Sequence, residues 1–137
     1  MGEESDMKKT AIVVLLFSVG VSQQHHKVIE TYDNGNIKSI TYHEETRTKL
    51  EKVKYIKFYD DGQKKIEGTY KKGVPDGLWI YYSNGFIDEK GTYKDGNEIS
   101  KIQWSYYKNG QKRSETTYEE GKAIGYKEWD RDGNLKQ

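Results

Sequence analysis

Five turn signals ending in glycine recur along this chain and constrain what it can fold into more than any other feature. They are Asp33-Asn34-Gly35, Asp60-Asp61-Gly62, Ser83-Asn84-Gly85, Lys108-Asn109-Gly110 and Arg131-Asp132-Gly133. The anchor glycines are spaced by 27, 23, 25 and 23 residues. A period in that range marks an array of small supersecondary units, each too small to bury its own apolar face. Asn-Gly and Asp-Gly between extended segments predict hairpins, with type I′ turns that need positive φ at both central residues. A second glycine follows eleven residues after three of the anchors, at Gly73, Gly96 and Gly121. Two turns per period mean two strands per period. The expected fold is all-β, with about ten short strands joined by hairpins.

Alternation supports the strand reading. Three, five and seven residues after the anchor come Lys65/Glu67/Thr69, Asp88/Lys90/Thr92 and Arg113/Glu115/Thr117, a column expected to face solvent. The opposite phase carries Gly68/Tyr70, Gly91/Tyr93 and Thr116/Tyr118, a small residue followed by tyrosine. Six and four residues before the anchor stand Ile56/Phe58, Trp79/Tyr81, Trp104/Tyr106 and Lys127/Trp129, all expected on that same covered face. A small residue beside a neighbouring ring leaves the ring its room. Three residues before the anchor is a further tyrosine column, Tyr32, Tyr59, Tyr82 and Tyr107, expected to point away from the tryptophans. Tyr59, Tyr82 and Tyr107 are the candidate partner-binding residues, an exposed aromatic ladder flanked by charge.

Composition agrees with a thin sheet. Only 33% of residues are hydrophobic, and the apolar content leans on 12 Tyr and 3 Trp, which suit a partly exposed pleated surface. Charge is balanced, 23 Lys and Arg against 22 Asp and Glu, and the interleaving of signs argues against nucleic acid. With no cysteine, disulfides and thiolate metal sites are excluded. The three histidines, His25, His26 and His43, fall where order is expected to be least. No nucleophile elbow or phosphate-loop motif is present, so no enzymatic chemistry and no cofactor are expected. Lys71 and Lys72 are candidate contacts to an anionic membrane surface, although Glu119-Glu120 occupy the equivalent turn.

The N-terminus reads as an address. Lys8 and Lys9 precede an apolar run over residues 11–21, which turns polar at Ser22-Gln23-Gln24. That is the pattern of a secretory signal peptide, residues 1–22, with cleavage after Ser22 and with residues 1–6 as an extra leader. The run is short for a span, which needs about 20 residues. The expected organisation is then a flexible segment at 23–28 and a repeat domain at 29–137, exported to the periplasm or beyond.

Gly68-x-Tyr70-x-x-Gly73-x-x-x-Gly77-x-Trp79-x-x-Tyr82-x-x-Gly85 resembles the MORN repeat in its bacterial variant form. The resemblance covers residues 29–135 and is strongest over 58–121. It implies an all-β fold, an elongated single-layer antiparallel β-meander of stacked hairpins (MORN-like repeats) that binds proteins or membranes, and it implies no catalytic residue. Bacterial proteins of this kind are often grouped as antitoxin components, so neutralisation of a partner toxin is an alternative reading. The reading favoured here is a non-enzymatic exported module that holds a protein partner on its aromatic face.

Overall fold

The computed structural model describes residues 15–17 and 25–137, with side chains from residue 26 onward. Ten strands follow in chain order: β1 (Leu15–Phe17), β2 (His25–Thr31), β3 (Ile37–Glu45), β4 (Leu50–Phe58), β5 (Lys64–Lys71), β6 (Val74–Ser83), β7 (Phe86–Lys94), β8 (Asn97–Tyr106), β9 (Lys112–Glu119) and β10 (Lys122–Glu128). Each is antiparallel to the next, and order in space equals order in sequence. The fold is one open antiparallel sheet, a meander of hairpins, as the turn signals predict. The segment read as a signal peptide lies outside the described residues except for β1, which pairs with the start of β2. After the last anchor turn the chain makes a single antiparallel bridge, Leu135 to Trp129.

All five anchor glycines lie at one end of the sheet, and Gly73, Gly96 and Gly121 lie at the other. The two ends use different turns. At Lys72-Gly73, Asp95-Gly96 and Glu120-Gly121 both residues have positive φ, the two-residue type I′ geometry that matches strand twist. At the anchor end only Asn84-Gly85 does so. At Gly35, Gly62, Gly110 and Gly133 the glycine alone has positive φ. There the loop has three residues. Tyr59 N–H donates to the Gln63 carbonyl at 2.8 Å, and Gly62 N–H donates to the Tyr59 carbonyl at 3.1 Å. In three of these loops the Asx before glycine accepts from the N–H two residues on: Asn34 from Asn36, Asp61 from Gln63 and Asn109 from Gln111. The Asx-Gly signal therefore marks a hairpin in each case, but in four of five through a three-residue loop rather than a type I′ turn.

That one-residue difference decides which face each ring occupies. In the three-residue loops the pairs are Phe58 with Lys64 and Tyr106 with Lys112. At the shorter loop Tyr82 pairs with Ile87. Counted from the anchor, β6 is therefore one residue out of phase with β4 and β8. The ladder Tyr55, Gly68, Trp79, Gly91, Lys101, Tyr118 runs along one face. The ladder Ile56, Glu67, Ile80, Lys90, Ile102, Thr117 runs along the other. Alternation then puts Trp104 on the second face, opposite to Trp79, and corrects the expectation that the two share a covered side.

Burial is shallow everywhere. Ile40 and Trp79, each 8% exposed, are the best-covered apolar side chains among the described residues. Trp79 lies across Gly68, where an added Cβ would come within 2.2 Å of the indole. Tyr70 and Tyr93 meet the ring edge-on at 5.2 and 5.9 Å, and the indole N–H donates to the Thr69 carbonyl at 3.1 Å. Burying such a ring contributes about 1.5–3 kcal/mol. Elsewhere lysine stems cover rings: the Lys52 ammonium is 4.4 Å from the Tyr55 centroid and 4.1 Å from that of Tyr70. A sheet built this way holds each hairpin through its neighbours rather than through one core.

The first hairpins depart from the repeat. The glycine-free insertion over residues 43–52 extends the β3–β4 hairpin, closed by Thr46, whose N–H and hydroxyl both donate to the Lys49 carbonyl. His26 and His43 stand directly opposite each other in the β2–β3 ladder, so these two histidines belong to the sheet. Burial, with Lys52 and His26 nearby, lowers the His43 pKa.

Candidate functional site

Strand alternation separates the three candidate tyrosines. Tyr59 and Tyr107 follow Phe58 and Tyr106, and so belong to the Trp79 face. Tyr82, displaced by the short Gly85 turn, belongs to the Trp104 face. They are not one ladder. Their hydroxyls are engaged within the sheet: Tyr59 donates to the Tyr82 carbonyl at 2.9 Å and Tyr107 to the Trp129 carbonyl at 2.8 Å. Tyr32 repeats the pattern on the Phe58 carbonyl at 2.7 Å. Each hydroxyl thus ties one anchor turn to the next along the array. Tyr82 instead donates to the Glu67 carboxylate, and burial together with that bond pushes its pKa up to about 12.

The column expected to be solvated is partly covered. Glu67 is held by Tyr82 and by Lys64 at 3.1 Å, and Glu115 accepts from the Trp104 indole at 2.8 Å with Lys112 and Lys127 close by. Burial would raise the Glu67 pKa, but its hydrogen bonds from Tyr82 and Lys64 outweigh it and lower the value. At Glu115 the indole hydrogen bond comes first and also lowers it. These carboxylates bind the sheet's own rings and ammoniums.

Ring faces differ in what covers them. Lys65 lies over Tyr59 at 4.8 Å and Lys64 over Tyr82 at 5.3 Å. Tyr107 has Arg113 and Arg131 each 5.9 Å from its centroid. Beside it is an open groove of about 440 Å³ lined by Tyr106, Tyr107, Lys108, Asn109, Arg113 and Arg131. A second groove of about 430 Å³ shares the Tyr106-Tyr107-Lys108 stretch and continues to Phe86 and Asp88. Phe86, 42% exposed, stacks on Tyr106 at 4.8 Å. Of the three candidate tyrosines, Tyr107 alone lines a groove in this region.

Phe86, Tyr106 and the two arginines were not among the candidates from sequence. A signal existed: the chain has only three arginines among its 23 basic residues, and two of them flank successive anchor turns. Lys71 and Lys72 are exposed at the opposite end of the sheet. The neighbouring turns there carry Asp95, Glu119 and Glu120, so that end presents mixed charge. No group of three or more His, Cys, Asp or Glu among the described residues is arranged to hold a metal. No helix among them is long and apolar enough to cross a membrane.

Comparison with known families places the repeat. The MORN repeat variant matches residues 53–72 and 103–120. Those two segments are MORN repeat variants. They span β4–β5 and β8–β9, the hairpins closed by the three-residue loops at Gly62 and Gly110. The matched copies are the two in phase with each other, and the out-of-phase strand β6 lies between them. No curated protein matches the chain.

Proposed function

We propose that the chain is a non-enzymatic, exported repeat module that binds a protein partner at the anchor-turn end of its sheet. The observation that carries this reading is the open groove in which the Tyr107 ring lies beside the Arg113 and Arg131 side chains. Aromatic and arginine side chains are the residue types that most often dominate protein interfaces. The basic and apolar stretch over residues 8–22 supports export.

Capture of partners from an envelope fraction tests the proposal. Tyr107→Ala is expected to abolish capture. Tyr107→Phe, lacking only the hydroxyl bonded to Trp129, is expected to retain it. Capture unaffected by Tyr107→Ala but lost in Lys71→Gln/Lys72→Gln would move the contact to the other end of the sheet and end this reading.

A further inference from the structure

We propose that the occupant of the Tyr107 groove is an extended acidic peptide segment, its carboxylates seated on Arg113 and Arg131. The inference rests on the protein-binding reading above and adds the partner's chemistry. Three cations, Lys108, Arg113 and Arg131, line this groove, and no carboxylate does. Several cations elsewhere on the sheet are paired: Lys64 with Glu67, Lys101 with Glu89 and Glu98, Lys112 and Lys127 with Glu115. Among the described residues neither arginine has a carboxylate within ion-pair distance.

The acids nearest in the fold are already held. Glu128, which feels the charge of Arg113, is bonded to Lys136 at 2.6 Å. Asp130 accepts from the Asn134 amide at 3.0 Å and from the Asn134 and Asp132 N–H groups at 2.8 and 2.9 Å. The groove's positive charge is therefore left for an external anion. Guanidinium is the suitable group, since its planar fork binds carboxylate bidentately while its face rests on a ring. A ring on each arginine also restricts its rotamers before the ligand arrives, which lowers the ordering cost.

Charge distribution favours a peptide. A bilayer or a nucleic acid would need a broad positive surface. Here Asp88 lines the second groove and Asp132 sits in the next turn, so the positive patch is narrow.

Fluorescence anisotropy of the full chain with a labelled octapeptide alternating Glu and Tyr tests this. The expected result is saturable binding that weakens with added salt. It should weaken at least tenfold in Arg113→Gln/Arg131→Gln and stay unchanged in Lys71→Gln/Lys72→Gln. The same peptide with Gln for Glu, added to the parent protein, should also bind at least tenfold more weakly, a comparison that needs no variant to fold. Equal binding of the Gln peptide, equal binding by the double arginine variant, or no binding of the Glu peptide overturns the proposal. So does arginine-dependent binding to vesicles of 30% phosphatidylserine with no binding of the peptide. If Tyr107-dependent capture survives the loss of both arginines, the acidic specificity falls and the protein-binding reading stands. If capture itself is absent, both fall.

Discussion

Trp79 and Trp104 occupy the same place in their repeats, six residues before an anchor glycine, and lead different lives. Trp79 is covered, set across Gly68 and flanked edge-on by Tyr70 and Tyr93. Trp104 sits on the opposite face, half-exposed, its indole on Glu115 and its ring beside Lys90 and Lys112. One residue of loop length separates them. A turn of two residues at Gly85 instead of three shifts β6 by one position, and in a structure of period two a shift of one exchanges the faces. Repeats that align in sequence therefore do not align in space.

The largest test of that contrast is deletion of each ring. Trp79→Ala should cost about 3–5 kcal/mol, as for a buried aromatic. Trp104→Ala should cost about 1–2 kcal/mol, because solvent and lysine stems already cover part of it. Denaturant midpoints would show the difference, and equal losses would mean that the two faces are equally buried.

Next in size is the glycine beneath Trp79. Gly68→Ala places a methyl 2.2 Å from the indole and should destabilise by about 1–3 kcal/mol, through forced displacement of the ring. The corresponding position two hairpins on is Thr116, which already carries a side chain opposite Gln103, so Thr116→Ala should change stability by less than about 1 kcal/mol.

The turns themselves can be separated. Asn84, at φ 50°, is in the left-handed region, and Asn84→Val should cost about 1–2 kcal/mol while Asn84→Gly costs little. Asn34 lacks that backbone, and its role is to accept from Asn36 N–H at 2.9 Å. Asn34→Gly should therefore lose about 0.5–1.5 kcal/mol where Asn84→Gly does not. Thermal midpoints of the three variants would break the comparison if Asn34 and Asn84 responded alike.

The smallest expected effect is on pH dependence. Glu115 has a folded pKa below its ordinary 4.5, so its contribution is complete above that value and is lost as pH falls through the lowered one. Glu115→Gln should flatten the acid limb of stability. Tyr82 has the opposite sign. Its folded pKa of about 12 lies above the ordinary 10.0, so its contribution is present below pH 10 and is lost as pH rises from there through 12. Tyr82→Phe should flatten the alkaline limb and leave the acid one mostly unchanged, apart from what Glu67 loses with it. Titrations of unfolding free energy would check both.

Much of the architecture was legible because glycine turns and period-two alternation are local. Each signal lies within a few residues of the backbone geometry it dictates, so strand order and hairpin pairing followed from spacing. The candidate site was less legible. Tyr107 carried a repeating signal, whereas Arg113 and Arg131 come from different hairpins and line one groove only when the turns stack.

What the sequence by itself determined is an open antiparallel meander, with the anchor glycines at one end and the second glycines at the other. Gly68 as the space for a ring was also readable, since a small residue on the face that carries the rings leaves a neighbouring ring its room. Only the tertiary structure decided which face each ring occupies and which arginines share a groove. The physical reason is that face depends on the exact residue count of a loop and on the bulges beside it. Asn84-Gly85 and Asp61-Gly62 look alike as dipeptides, yet they close loops of different length.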